Sequence, residues 1–138
     1  MDSSIADIAV EDFPLGPATW YRVGGPARVA LFPRTIEEAE RAYAWLCEEG
    51  GPWMILGAGT NVLISDAGYD GTVLFTTALK ELAPRGEHCY YATAGLPLQT
   101  LVRDVMLEHN YDGVAALTGI PGTVGGGVYM NAGTVHGT

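Results

Sequence analysis

Residues 119–133 read GIPGTVGGGVYMNAG, six glycines in fifteen positions with no charged side chain. A flexible linker in water is normally rich in Ser and charged residues, and a strand interior seldom tolerates so much glycine. The stretch therefore reads as main chain shaped for close approach of another backbone or a flat ligand. Pro121 sets a turn between Ile120 and Gly122. Gly125, Gly126 and Gly127 allow positive φ and close approach of another backbone or a flat ligand, and Val128, Tyr129 and Met130 supply apolar cover. Asn131 offers an amide to a ligand or to a turn cap. No charge occurs anywhere from Gly113 to Val135, which predicts burial or a covered cleft.

The rest of the chain sets the limits within which that segment works. At 138 residues it holds one ordinary domain or two very small ones. With 48% hydrophobic and 17% charged residues it is globular rather than disordered. Sixteen acidic against seven basic residues give a net charge of −9, which argues against a nucleic-acid surface. An anionic ligand would have to be held mainly by backbone N–H groups, and glycine turns expose those. No apolar run reaches the ~18 residues of a membrane span, and MDSSIADIAVEDF has no signal-peptide pattern, so a cytoplasmic location is expected. Cys47 and Cys89 read as reduced, buried thiols rather than a disulfide framework.

Along the chain, residues 1–17 are weakly periodic and predict a loose or edge-packed lead-in. A turn at Gly24-Gly25-Pro26 precedes a strand over 28–32. Thr35 and Glu38 have capping-box spacing, and Ile36, Ala39, Tyr43 and Leu46 make a helical stripe that stops at Gly50-Gly51. WMIL, 53–56, is a continuous apolar run that predicts a buried strand, and GTVLFTT, 71–77, predicts another. A second unit opens with a strand over 89–94. Pro97 suits a first helical position, and Leu98, Leu101, Val102, Val105 and Met106 form a stripe ending near Asn110. Both halves thus run from strand to helix.

A second glycine motif lies at 55–66, ILGAGTNVLISD. Two glycines two apart after a strand suggest a dinucleotide fingerprint, but position 62 is Val and no amphipathic helix follows, so a Rossmann reading is poor. What remains is either a simple strand-ending turn or a turn whose N–H groups face an anion, with Thr60 and Asn61 adding side-chain donors. Tyr21 and Arg22, beside Gly24-Gly25, either line a ring-and-phosphate ligand or are an ordinary half-buried Tyr and surface Arg. His88, His109 and His136 lack metal-site spacing, Asp66 and Asp70 flank an ordinary turn, and no metal is expected. G-x-S-x-G, H-E-x-x-H, C-x-x-C and P-loop motifs are absent, so no catalytic nucleophile is visible.

Taken in order, TWYRVGGPA, PRTIEEAE, ILGAGTNVLISDAGYDGTVL, ATAGLPLQTLV and GIPGTVGGGVYMNAG resemble the N-terminal FAD-binding region of the UDP-N-acetylenolpyruvoylglucosamine reductase (MurB) family. The resemblance covers about residues 18–133. It implies an α+β fold of the vanillyl-alcohol oxidase (PCMH) type, with FAD held between two small α+β subdomains. The expected boundaries are a lead-in over 1–17, a first subdomain over 18–80 and an incomplete second over 81–138, without the substrate-binding domain. Gly57, Ala58, Gly59, Thr60, Asn61, Val62 and Leu63 would wrap the pyrophosphate. Gly119, Ile120, Pro121, Gly122, Thr123, Gly125 and Gly126 would lie along the rest of the cofactor, with Asn131, Ala132 and Gly133 close behind.

In such enzymes NADPH reduces the flavin, which passes hydride to the enolpyruvyl double bond of a UDP-sugar to give UDP-N-acetylmuramate for peptidoglycan. The family's proton-donating serine and its assisting glutamate and arginine lie downstream of the glycine-rich motif. None is expected among these 138 residues, so the piece alone is expected to be inactive. Its uncovered apolar segment predicts self-association. The alternatives are a flavin oxidoreductase of the same fold with another substrate, and a non-catalytic flavin-binding module.

Overall fold

A computed structural model describes residues 3–135. Its contacts divide the chain into Met1–Leu79 and Lys80–Thr138. In the first unit, strands β1 (Ala9–Pro14), β2 (Pro26–Leu31), β3 (Trp53–Leu56) and β4 (Tyr69–Phe75) form one sheet in the order β1-β2-β4-β3. β1 runs antiparallel to β2, while β2 and β3 both run parallel to β4. Helix α1 (Ile36–Glu49) carries the chain from β2 to β3, parallel strands that β4 separates in the sheet, and the loop 57–68 leads from β3 to its parallel neighbour β4.

Thr35 starts α1 as expected, its hydroxyl accepting from the Glu38 N–H at 3.2 Å. The other half of the capping box is displaced by one residue: the Glu38 carboxylate takes the N–H of Arg34, at 2.7 Å, along with that residue's guanidinium. Those two interactions hold the Glu38 carboxyl below its usual range. The buried face of α1 differs from the expected stripe. Ala42 and Leu46 are buried, with Trp45 partly so, whereas Ile36 and Tyr43 are exposed. Both faces carry apolar residues, so spacing alone could not choose between them. Tyr43 instead meets the edge of Trp53, ring centres 5.9 Å apart.

The sheet packs on both sides. Ile5, Ile8, Val29, Leu31 and Leu74 join Ala42 and Leu46 of α1 in one core. Leu15, Ala27, Ala30, Leu56, Ile64, Val73 and Phe75 form the other, joined by Phe13 and Phe32. Ala27 and Val29 should share a face in a regular strand, yet they enter different cores. The register of β2 against β4 shifts between them, and Asp12 on the neighbouring β1 has φ 49°. The lead-in thus holds a strand and three core residues, tied to α1 by two hydrogen bonds from Arg41 to Asp7, at 2.9 and 3.1 Å. That contact holds the Asp7 carboxyl below its usual range, so its stabilising effect is present above the unfolded carboxyl's pKa and fades as pH falls through the folded one.

β3 corrects a second expectation. It is an edge strand with Leu56 buried but Ile55 55% exposed, so the run WMIL is half-buried rather than enclosed. Cys47 and Cys89 are likewise exposed free thiols, not buried ones.

In the second unit, β5 (Leu82–Pro84) and β6 (Tyr90–Ala92) form an antiparallel pair. Helix α2 (Leu98–Leu101) continues into a π-helical stretch, Val102–Leu107, burying Leu98, Val102 and Val105 of the expected stripe. Two short helices follow, α3 (Val114–Leu117) and α4 (Val124–Tyr129). Among the described residues no helix is long and apolar enough to cross a membrane.

Candidate functional site

The turn after β3 is built by exclusion. Gly59 is buried at φ 64°, and a Cβ there would sit 2.5 Å from the Ala18 carbonyl oxygen and 3.0 Å from the Thr19 Cα. Only glycine fits both the left-handed backbone and the gap. The Gly59 carbonyl accepts from the Trp20 N–H at 2.9 Å, which locks the turn onto segment 16–20. That segment is itself a short 3₁₀ turn, Gly16–Ala18, closed by the Thr19 hydroxyl on the Gly16 carbonyl at 2.9 Å. Among the described residues, no acceptor takes the backbone N–H of Ala58, Gly59 or Asn61. Gly59 is buried, where an N–H is rarely left unmade, and Ala58 and Asn61 are exposed, so their donors are open to a ligand; the set suits an anion.

Beside the turn lies a pocket of about 320 Å³ lined by Pro17, Ala18, Thr19, Trp20, Arg22 and Ala58. It brings Arg22 and Ala58 together with Thr19 and Trp20, which spacing had not singled out. Their signal was adjacency to Tyr21-Arg22. Arg22 has φ 55° and makes no ion pair among the described residues. Tyr21 is exposed and does not line the pocket. Val62 packs on the second core and Leu63 is 72% exposed, so the two adjacent apolar residues that close the motif face opposite ways. Gly57 and Thr60 are half-buried and Asn61 exposed.

The glycine-rich segment of the second unit, read from the sequence as main chain shaped for close approach, contains a helix. Val124–Tyr129 is helical, with the Thr123 hydroxyl accepting from the Gly126 N–H at 3.3 Å as its cap. The positive φ values fall at Gly119 (82°) and Gly122 (121°), not at Gly125, Gly126 or Gly127. Close backbone approach does occur at Gly125, whose N–H donates to the Ala94 carbonyl at 2.9 Å. Tyr129 is 89% exposed and covers nothing within this unit, and Val128, 78% exposed, only borders a groove.

Asn131 (φ 48°) and Ala132 line an apolar groove of about 310 Å³ with Leu98, Leu101, Leu117, Val124, Gly127 and Val128. Gly119, Ile120, Pro121, Gly122 and Gly133 lie outside that groove.

The histidines are engaged in an aromatic cluster. His88 Nδ1 lies 2.7 Å from the Tyr111 hydroxyl and His109 Nε2 lies 2.7 Å from the Tyr90 hydroxyl. Burial, then the nearby Tyr90 and Glu87, raises the Tyr111 pKa. His136 lies outside the described residues. Among those described, no three His, Cys, Asp or Glu side chains are placed to hold a metal.

A sheet-and-helix unit with a tight glycine turn beside an arginine has the donor chemistry that the phosphates of a nucleotide cofactor call for. The pattern of the FAD binding domain family matches residues 27–138. The UDP-N-acetylenolpyruvoylglucosamine reductase of Syntrophotalea carbinolica is 39% identical over 120 residues, 87% of this chain and 40% of that protein. Its namesake from Synechococcus sp. is 42% identical over 124 residues, 90% of this chain and 39% of that one. The crystal structure of UDP-N-acetylenolpyruvylglucosamine reductase (MurB) from Thermus caldophilus matches with a TM-score of 0.71 at 33% identity, covering 94% of this chain and 43% of that one. The chain therefore belongs to the FAD binding domain family and is a counterpart of the N-terminal FAD-binding region of the MurB reductases. Its fold is the α+β, PCMH-type FAD-binding fold. It spans about two-fifths of the length of the curated relatives it matches.

Proposed function

We propose that this chain is the FAD-binding part of an NADPH-dependent reductase that converts an enolpyruvyl UDP-sugar to UDP-N-acetylmuramate in cytoplasmic peptidoglycan synthesis. The observation that carries the reading is the 57–61 turn. Its Ala58, Gly59 and Asn61 N–H groups lack acceptors among the described residues, and Gly59 admits no Cβ. Such a cradle fits a diphosphate, and Arg22 beside Ala58 adds the positive charge that this acidic chain otherwise spares.

In this reading residues 57–63 wrap the pyrophosphate and Tyr21 and Arg22 flank it. Gly119, Ile120, Pro121, Gly122, Thr123, Gly125 and Gly126 lie along the remainder, with Asn131, Ala132 and Gly133 behind. Bound FAD supplies the hydride, and the protein holds and orients it.

Purified protein is expected to be yellow and to release FAD on denaturation. A colourless preparation that leaves added FAD fluorescence unquenched would refute the reading. With NADPH and the enolpyruvyl substrate, the 138 residues alone are expected to give no product, because the family's serine, glutamate and arginine have no assigned counterparts here. Exposed Val128, Tyr129, Met130 and Val135 favour self-association, checked by sizing across a concentration series.

A further inference from the structure

We infer that Gln99 is a positioning residue that holds the 117–120 turn in the shape a bound FAD requires. The inference rests on the FAD reading above and assigns a role that reading does not contain. Gln99 sits in the first turn of α2, partly buried, and spends its whole amide on one stretch of main chain. Nε2 donates to the carbonyls of Leu117 and Ile120, at 3.0 and 2.9 Å, and Oε1 accepts from the Gly119 N–H at 3.2 Å.

The turn has little of its own to hold it. Its internal bond, Ile120 N–H to the Leu117 carbonyl, is long at 3.3 Å. Gly119 has φ 82° with nothing within 4 Å of a notional Cβ, so no packing fixes it either. Downstream, α2 holds the chain again through the Leu98 N–H on the Gly122 carbonyl, at 3.0 Å. The four residues from Gly119 to Gly122 are thus pinned at both ends by the start of one helix. The left-handed Gly119 and Gly122 between the pins keep a fixed geometry without side chains of their own.

A ligand-binding main chain held in advance loses less entropy on binding than one ordered by its ligand. Gln is suited to the task because two carbonyls need donors and one N–H needs an acceptor, and a single primary amide supplies both. Met keeps the length and loses all three bonds. Glu keeps the acceptor but sets a carboxylate against two carbonyls until it is protonated, when it regains one donor.

The test measures FAD affinity by flavin fluorescence and amide exchange at Gly119 in wild type, Gln99→Met and Gln99→Glu across acidic to neutral pH. Gln99→Met is expected to weaken FAD binding roughly 10- to 100-fold, the range for losing one or two hydrogen bonds. Its Gly119 N–H should exchange faster in the absence of FAD. Gln99→Glu should bind poorly at neutral pH and recover as the pH falls, a recovery that wild type and Gln99→Met do not show. Unchanged affinity in both variants, with wild type binding FAD, overturns the role of Gln99 alone. Wild type failing to bind FAD overturns the underlying reading, whatever the exchange data show.

Discussion

Gly59→Ala is expected to abolish FAD retention during purification and to weaken FAD binding by about 100-fold. The added Cβ would stand 2.5 Å from the Ala18 carbonyl oxygen and 3.0 Å from the Thr19 Cα. Both neighbours are main chain, so neither can swing aside. Two costs combine: about 1–2 kcal/mol for a non-glycine residue at left-handed φ, and about 1–3 kcal/mol for overpacking. The turn escapes them only by leaving segment 16–20, which breaks the Trp20 N–H bond to Gly59 and moves the Ala58, Gly59 and Asn61 N–H groups.

Losing one or two charge-assisted bonds to a phosphate costs about 3 kcal/mol, which is the hundredfold. Gly50→Ala is the control, because Gly50 has φ 72° with nothing within 4 Å. It bears the conformational cost alone and should leave FAD affinity unchanged. Equal losses of affinity in both variants would mean that the 57–61 turn has no special relation to the cofactor.

That contrast shows where the sequence was readable. α1 was legible because its cap, its apolar spacing and its glycine stop agree, and β4 because Thr72, Val73, Leu74 and Phe75 make a short run rich in strand-favouring residues. The edge strands were less so. β1 was hidden because an edge strand with exposed Glu11 and Asp12 shows no alternation, and its twist at Asp12 moves Phe13 to the second core. β3 read as enclosed because an apolar run does not reveal that it lies at a sheet edge.

In the site, the glycine turns were visible as composition, but their conformations were not. Glycine's low helix propensity hid the helix at 124–129. Tertiary bonds override it: Val124 and Gly125 donate to the carbonyls of Leu96 and Ala94, at 2.8 and 2.9 Å, and Thr123 caps the turn that follows. Gln99 stood inside an apolar stripe, and only the fold shows which carbonyls it serves.

The same helix yields a prediction in which neighbouring glycines respond with opposite signs. Gly125→Ala is expected to destabilise the second unit by about 2–3 kcal/mol, since its Cβ would meet the Ala94 Cβ at 2.7 Å and the Ala94 carbonyl oxygen at 3.0 Å. Backing away would stretch the Gly125 N–H bond to Ala94, one of the contacts that fix where α4 begins. Gly127→Ala should instead stabilise it by about 0.5–1 kcal/mol. Its nearest neighbour is a Leu98 methyl at 3.6 Å, an ordinary contact, and alanine removes the entropic cost of glycine inside a helix.

Urea unfolding followed by circular dichroism, with amide exchange across 124–130, separates the two. If glycine were present only to keep the segment pliable, both substitutions would shift exchange in the same direction. A stabilising Gly125→Ala would show that the approach to Ala94 is not what requires glycine there. Opposite signs would assign close backbone contact to Gly125 and leave Gly127, on the wall of the apolar groove, to be explained by what that groove accepts.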